Sequence, residues 1–316
     1  MDIVPQFFNR TLNKEFLNLD NTLVCDHIKV EIINGIPRFV NSKTYASLFG
    51  DQWKQYKKTQ LDSYSGVPIS GNRLNRLLGD LENDLNGRYV LEAGCGAGRF
   101  TEVLLNKGAV LVSSDISTAV EVNLENFPLS DRRLVIQADI NDMPFKNETF
   151  DVVIGIGVIQ HTPNPEQTIR DLFDLVKKGG TLIIDHYTFK LSYYLRLFPL
   201  YRIILKKLPS EVTIKKTKKM VKIFLPLHKK VAGMKALSVL LNRVSPVISY
   251  YDAFPQLNDK MQEEWAMLDT HDALTDWYKN FRSKRQIVAT LKEIGGQNIW
   301  CQYGGNGVEA RCTKIY

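Results

Sequence analysis

Residues 88 to 100, Arg88-Tyr-Val-Leu-Glu-Ala-Gly-Cys-Gly-Ala-Gly-Arg-Phe100, run an apolar strand straight into glycines at 94, 96 and 98. Glycine lets the backbone turn sharply and approach a ligand closely, and the helix that follows, expected from about Arg99 to Asn106, offers unpaired N–H groups at its start. A nucleotide-like cofactor is expected at such a corner. The spacing narrows the choice, because a dinucleotide fingerprint needs its third glycine at position 99, where Arg99 stands. Gly94, Gly96 and Gly98 instead suit a ligand with no pyrophosphate to wedge against the helix.

Working outward, Val110-Leu-Val-Ser-Ser ends in Asp115 and predicts a second parallel strand, its terminal carboxylate able to accept from both hydroxyls of a ribose. A third strand, Leu134 to Ala138, ends in Asp139 and Ile140, which fit an adenine amino group and ring. Phe150-Asp-Val-Val-Ile-Gly predicts a buried fourth strand leading to Gly157, Val158, Ile159, Gln160 and His161. Lys177-Lys-Gly-Gly-Thr-Leu-Ile-Ile-Asp predicts a helix stop and a fifth strand.

This order of motifs over roughly residues 70 to 186 resembles the class I S-adenosylmethionine-dependent methyltransferases. The resemblance implies an α/β, Rossmann-like seven-stranded sheet with its last strand pair antiparallel. It implies S-adenosyl-L-methionine as cofactor, S-adenosyl-L-homocysteine as product, and a pocket made by Glu92, Gly94, Cys95, Gly96, Gly98, Arg99, Asp115, Ile116, Asp139, Ile140 and Gly157. Arg99 is a candidate partner for the methionyl carboxylate, and Cys95 reads as a small filler between glycines. The alternative is a generic doubly wound domain with a glycine turn. A capped helix from Ser283 and strands Asn298 to Tyr303 and Val308 to Lys314, joined by Gly304-Gly-Asn-Gly, supply the final elements.

With 316 residues, 44% of them hydrophobic, the chain can bury one substantial core plus a smaller module. Met1 to Arg10 lacks the apolar stretch of a signal peptide. The best candidate for a membrane span, Leu191 to Leu208, is broken by Arg196, Arg202, Lys206 and Lys207. Cys25, Cys95, Cys301 and Cys312 have neither zinc nor disulfide spacing, so no metal is expected, and a cytoplasmic setting, or one peripheral to the inner face of the membrane, is the simplest.

Four segments are expected: a small β module over 1–43, a cap segment and cofactor-binding core over 44–186, a basic helical lid insertion over 187–282, and a closing helix and hairpin over 283–316. Lys190 to Lys235 holds thirteen Lys and Arg against the single acid Glu211, a local charge of +12 in a chain whose total is +7. Basic residues alternate there with Leu, Ile, Phe and Tyr, and Pro199, Pro209 and Pro226 are expected to divide the segment into short helices. Such a lid suits an anionic membrane surface or an anionic acceptor; a solvated helical cap packed on the domain is the alternative.

At the N-terminus, two short strands about Asn34-Gly35, then Tyr45-Ala-Ser-Leu-Phe-Gly-Asp-Gln-Trp-Lys-Gln-Tyr56 and Gln60-Leu-Asp-Ser-Tyr64, resemble bacterial methyltransferases that carry a zinc-ribbon-like module and are associated with surface-polysaccharide or lipopolysaccharide assembly. Only Cys25 remains of any ligand set, so zinc is not expected. By the same resemblance, Trp53, Gln60 and Tyr64 fold over the cofactor; packing between module and sheet is the alternative.

Methyl transfer to a hydroxyl needs in-line alignment and a group that takes the proton. His161 and His271 are the candidates, with Asp269 and Asp272 as orienting partners or alternative bases; His161 is alternatively a hydrogen-bond partner for the helix near Pro165. The leading expectation is O-methylation of a sugar or glycan precursor, with a small-molecule acceptor that is anionic or carrier-linked. A lipid or quinone-like acceptor at a membrane surface stands close behind. Nucleic acid ranks lower, since Gly155-Ile-Gly-Val-Ile-Gln-His lacks the Asn-Pro-Pro type motif of amino-directed enzymes, though the basic segment leaves RNA open. A cofactor-binding protein without catalysis is the reading from a different class.

Overall fold

Alternating burial organises the start of the chain in this computed structural model, which describes residues 5–40, 53–189 and 191–315. A two-stranded sheet, β1 (Phe8–Asn9) and β2 (Lys14–Glu15), precedes a four-stranded antiparallel sheet of β3 (Leu17–Leu19), β4 (Thr22–Cys25), β5 (Ile28–Ile33) and β6 (Ile36–Pro37). Leu23 and Cys25 point inward from β4 while their neighbours are less buried, the period-two pattern of a sheet with one wet face. Asn34 and Gly35 both have positive φ (54° and 77°) and form the two-residue hairpin turn. Of the segment from Tyr45 to Tyr56, the part before Trp53 lies outside the described residues.

The central sheet contains β7 (Tyr89–Ala93), β8 (Val110–Asp115), β9 (Arg133–Gln137), β10 (Phe150–Gly155), β11 (Val176–Tyr187), β12 (Gly296–Gly304) and β13 (Gly307–Lys314) in the order β12-β13-β11-β10-β7-β8-β9. All neighbours from β11 to β9 pair in parallel, and β13 runs antiparallel to both β11 and β12. The strand order reverses between β7 and β10, the place where open α/β sheets hold ligands.

These strands are buried on both faces because helices cover both. On one face Val90, Leu111, Ile154 and Ile183 pack with Leu74 and Leu77 of α2 (Ile69–Leu78), which follows α1 (Asp62–Ser65), and with Leu104 of α3 (Thr101–Asn106). On the other, Leu91, Val112, Ile136, Val153 and Leu182 pack with Phe145 and Phe150. Flanking helices are α4 (Ala119–Asn126) and α5 (Pro165–Asp174), whose N-cap Asn164 accepts from the Gln167 N–H. Each such fully buried Leu or Ile contributes about 1.5–3 kcal/mol. The N-terminal module blunts the β9 edge: Arg38 bridges to Gln137 in parallel, Phe39 N–H donates to the Gln137 carbonyl (2.8 Å), and Ile36 packs with Val135.

The insertion carries α6 (Phe198–Leu205), α7 (Ser210–Val231), α8 (Lys235–Val244) and α9 (Asp259–Thr275); α10 (Lys284–Glu293) then starts at Ser283 with a capping box to Gln286. Three expectations need correction. Helix α3 begins at Thr101 rather than near Arg99, because residues 94–100 are taken up by the glycine turn. The Lys177–Gly180 stretch lies inside β11, where Gly179 (φ 80°) accompanies a break in register opposite Phe150 and Val152, and is not the helix stop, since α5 already ends at Asp174. Pro226 does not divide the insertion, since α7 continues through it despite the missing N–H; Val221 and Leu225 before it pack with Val247, Ala266 and Met267, and His228 after it meets Ser245 Oγ at 2.8 Å.

Candidate active site

The glycine turn is pulled against β8 by its own backbone: the N–H groups of Gly94 and Cys95 both donate to the Ser114 carbonyl (2.7 and 2.9 Å). Gly96 N–H donates to Asp115 Oδ2 at 3.0 Å, so the carboxylate at the tip of β8 sits beside bare backbone. Ser117 fixes the other oxygen through its N–H (2.9 Å) and hydroxyl (2.7 Å). At Gly94 (φ 80°) a Cβ would come within 2.7 Å of Val158 Cβ, so no other residue fits without moving the loop after β10.

Above this corner opens a cavity of about 1620 Å³. At the β7–β8 end it is walled by Gly94 to Ala97, Asp115 to Ser117, Ile140 and Trp53. Beyond the end of β11, two strands away from β7, it is walled by Tyr187, Phe189, Tyr193, Phe198 and Phe281. Drug-sized ligands occupy roughly 300–1,000 Å³, so this volume accommodates two adjacent molecules.

Charges between the two ends are held by identifiable partners. Arg99 donates from Nε to Ser70 Oγ (3.1 Å) and lies over the Phe100 and Trp265 rings, and among the described residues no carboxylate lies within 4 Å of it. Desolvation lowers its pKa to about 10, so it stays a cation at neutral pH. Asp269 accepts from the Tyr250 hydroxyl and from Gln60 Nε2 (3.2 Å), and burial raises its pKa to about 6. Arg73, in the cavity wall, pairs with Asp185 (2.5 Å) and Glu309 (3.1 Å), and Asp185 also accepts from the Gly157 N–H (2.6 Å).

A second cluster centres on Asp276, wholly buried, which pairs with Arg202 (2.6 Å) and Lys279 (2.7 Å) and lies 3.5 Å from His161 Nδ1. The Tyr278 carbonyl is 3.1 Å from the same nitrogen. A carbonyl only accepts, so Nδ1 donates and Nε2 is the basic nitrogen of the neutral ring.

Of the residues singled out in the sequence, Gln60, Gly94, Cys95, Gly96, Arg99, Asp115, Ile116, Ile140, Gly157, His161, Asp269 and Asp272 all line the cavity. Five do not. Glu92 is buried below the turn, accepting from Thr101 and Ser113 hydroxyls (2.6 and 3.0 Å), and desolvation raises its pKa to about 7. Gly98 (φ 107°) serves packing, since a Cβ there would strike the Phe127 ring at 2.6 Å. Asp139 closes a local turn by accepting from Asn141 N–H (2.9 Å). Tyr64 is 40% exposed on the outer surface, its hydroxyl facing Glu264 and Lys260. His271 is not in the cavity wall although its neighbours Leu268, Asp269 and Asp272 on α9 are; its Nε2 meets Thr213 Oγ1 of α7 at 3.1 Å. His186 is also directed away, with Nδ1 at the Tyr187 carbonyl and a pKa lowered by burial.

Sequence reasoning missed Arg73, Tyr250, Asp276 and Lys279. Tyr250 lies in an aromatic group with Phe254 and Trp265 whose density in the insertion was a visible signal; Arg73 and Asp276 acquire meaning through partners far along the chain, and Lys279 through its neighbour Asp276. Among the described residues no group of three or more His, Cys, Asp or Glu is placed to hold a metal ion, and Cys25 is a buried free thiol.

Residues 91–184 match the family model described as a methyltransferase domain. A ubiquinone biosynthesis O-methyltransferase from Pseudomonas fluorescens is 31% identical over 108 residues, covering 32% of this chain and 45% of that protein, so the chain spans less than half the length of the curated relatives it matches. Among solved structures, a CurJ carbon methyltransferase superposes with TM-score 0.48 at 14% identity, covering 87% of this chain and 62% of that one. Magnesium protoporphyrin IX methyltransferase from Synechocystis with bound S-adenosylhomocysteine gives 0.44 at 15%, covering 85% and 94%. The matched segment, 91–184, holds the glycine corner and the parallel strands, and its likeness is to a methyltransferase domain.

Proposed function

We propose that the protein transfers a methyl group from S-adenosylmethionine to a hydroxyl of an amphipathic small molecule. The observation that carries this reading is the single cavity with two unlike ends, a backbone-and-carboxylate corner at β7–β8 and an aromatic chamber beyond β11. The corner fits the cofactor: at Gly157 (φ 77°) a Cβ would meet nothing within 4 Å, and Gly157 lines the cavity, so the bare backbone leaves room that a ligand fills. Asp115 would hold the ribose hydroxyls, Ile140 the adenine ring, and Arg99, lacking a carboxylate partner among the described residues, the methionyl carboxylate. The cofactor supplies an electrophilic methyl group on a sulfonium.

The chain's own work is then alignment and removal of a proton. Tyr187, Phe189, Phe198 and Phe281 form an apolar wall that orients the acceptor and excludes water. His161, with Nδ1 directed to the Tyr278 carbonyl and Asp276, presents Nε2 as the general base that takes the hydroxyl proton as the oxygen attacks. Asp269 and Asp272 on α9 position polar groups of the acceptor; Asp269, already engaged by Tyr250 and Gln60, is less suited to be the base. The name of the Pseudomonas relative supports oxygen as the atom methylated.

A sugar hydroxyl on an anionic lipid carrier is the second reading, favoured by Arg196, Arg202 and Lys279 in the chamber wall. Release of S-adenosylhomocysteine, measured with catechol-type phenols and with polyprenyl-phosphate-linked sugars, separates the two. Turnover only with phenols supports the first, turnover only with glycans the second, and turnover with neither class at any pH from 6 to 9 contradicts both.

A further inference from the structure

We infer that the outer surface of the insertion is a docking face for an anionic phospholipid bilayer, and that it sets the mouth of the cavity against the lipid. The inference rests on the proposed methyl transfer only for its purpose; the surface itself is argued from exposure and charge. Fourteen of the twenty-three exposed large hydrophobic residues among the described residues lie between Leu191 and Val244. Leu200, Ile203 and Ile204 stand on one face of α6 at i, i+3 and i+4, between 53% and 64% exposed, and Leu237, Leu240 and Val244 recur along α8 in the same way. The two helices meet where the Leu197 N–H donates to the Arg243 carbonyl (2.7 Å), so their apolar faces belong to one corner of the molecule.

Cations accompany them. Along α7 the exposed residues Lys216, Lys219, Ile223, Leu227 and Lys230 fall on one stripe, two apolar side chains flanked by ammonium groups. Among the described residues no carboxylate lies within 4 Å of Lys215, Lys216, Lys218, Lys219, Lys222 or Lys230, whereas Lys229 is paired with Asp259. This mixture decides between occupants. The cores of protein interfaces are depleted in Lys, while helices that lie in the bilayer interface combine Leu-rich faces with Lys-rich flanks. No helix of the described residues is long and apolar enough to cross a membrane, so the helices lie on the surface.

The same elements reach inward. Phe198, Pro199, Arg202 and Ile203 of α6 and Asn242 of α8 line the cavity, so an acceptor dissolved in the bilayer would enter between these helices without crossing water. This deepens the proposed function by assigning the acceptor to the membrane phase.

The test is co-sedimentation of the full chain with vesicles of phosphatidylcholine alone or with 30% phosphatidylglycerol, in about 0.1 and 0.5 M salt. We expect binding to anionic vesicles that weakens at least tenfold in high salt, and tenfold again in Leu200→Ser/Ile204→Ser, whose altered residues are outside the cavity wall. Lys215→Gln/Lys218→Gln/Lys219→Gln should lose roughly fivefold per cation removed. S-adenosylhomocysteine binding should be unchanged in both variants, which shows that they fold. Absence of binding to anionic vesicles, or equal binding by the serine variant, overturns the inference. So does a dimer in light scattering that the serine variant dissociates, which would assign the face to a second copy of the chain. Vesicle binding without any S-adenosylhomocysteine affinity would leave the docking face standing and remove the methyl-transfer reading instead.

Discussion

The corner at the ends of β7 and β8 and the chamber under the insertion are built by different rules. In the corner, the proposed function is carried by backbone: Gly94, Cys95 and Gly96 direct N–H groups to Ser114 and Asp115, all within 22 residues of one another. In the chamber it is carried by side chains from remote segments, with His161 held near Asp276, and Asp276 in turn gripped by Arg202 and Lys279. A backbone corner binds the same ligand in many proteins, whereas a side-chain chamber can be rebuilt for each acceptor.

The contrast can be broken by experiment. The largest effect is expected from Asp276→Ala, which leaves the half-buried Arg202 and Lys279 without their carboxylate and should cost about 3–5 kcal/mol in urea unfolding. A loss under about 1 kcal/mol would mean that the cluster does not organise the chamber. His161→Ala should lower kcat by roughly 10²–10⁴ while leaving S-adenosylhomocysteine affinity within about twofold. If affinity falls as far as turnover, His161 belongs to the cofactor end.

The smallest effect sharpens the corner. Glu92 has its pKa raised from 4.5 to about 7 by burial, so the folded state keeps a proton that the unfolded chain has already lost between those values. Wild-type stability therefore falls as pH rises through this window, and Glu92→Gln, which cannot ionise, should gain relative to wild type from pH 5 to 8, by on the order of 1–2 kcal/mol. Thermal melts of the two proteins across that range check the sign. A constant difference would mean that Glu92 is ionised throughout.

Legibility follows the same division. The glycine turn and the parallel strands could be read because local residue types enforce them, and Asp115 and Ile140, at or just beyond the ends of those strands, line the cavity. Within that stretch Gly98, Asp139 and Glu92 stand in the expected motif but off the cavity wall: bare Gly98 leaves room for the Phe127 ring, and the two carboxylates take local hydrogen bonds. In the insertion, helical phase alone separates Asp269 and Asp272, which face the cavity, from His271, which faces Thr213, and no local signal near residues 269–272 reveals which side of α9 is inward. Asp276 was invisible because its partners Arg202 and His161 lie 74 and 115 positions away.

The most direct measurement is a calorimetric titration of S-adenosylhomocysteine into wild type, Asp115→Ala and Phe281→Ala. Two independent halves of one cavity predict a one-to-one heat in the wild type, a loss of about tenfold to a hundredfold in affinity for Asp115→Ala, and near-normal binding for Phe281→Ala. No heat in the wild type, or equal weakening in both variants, would contradict the assignment of the cofactor to the glycine corner.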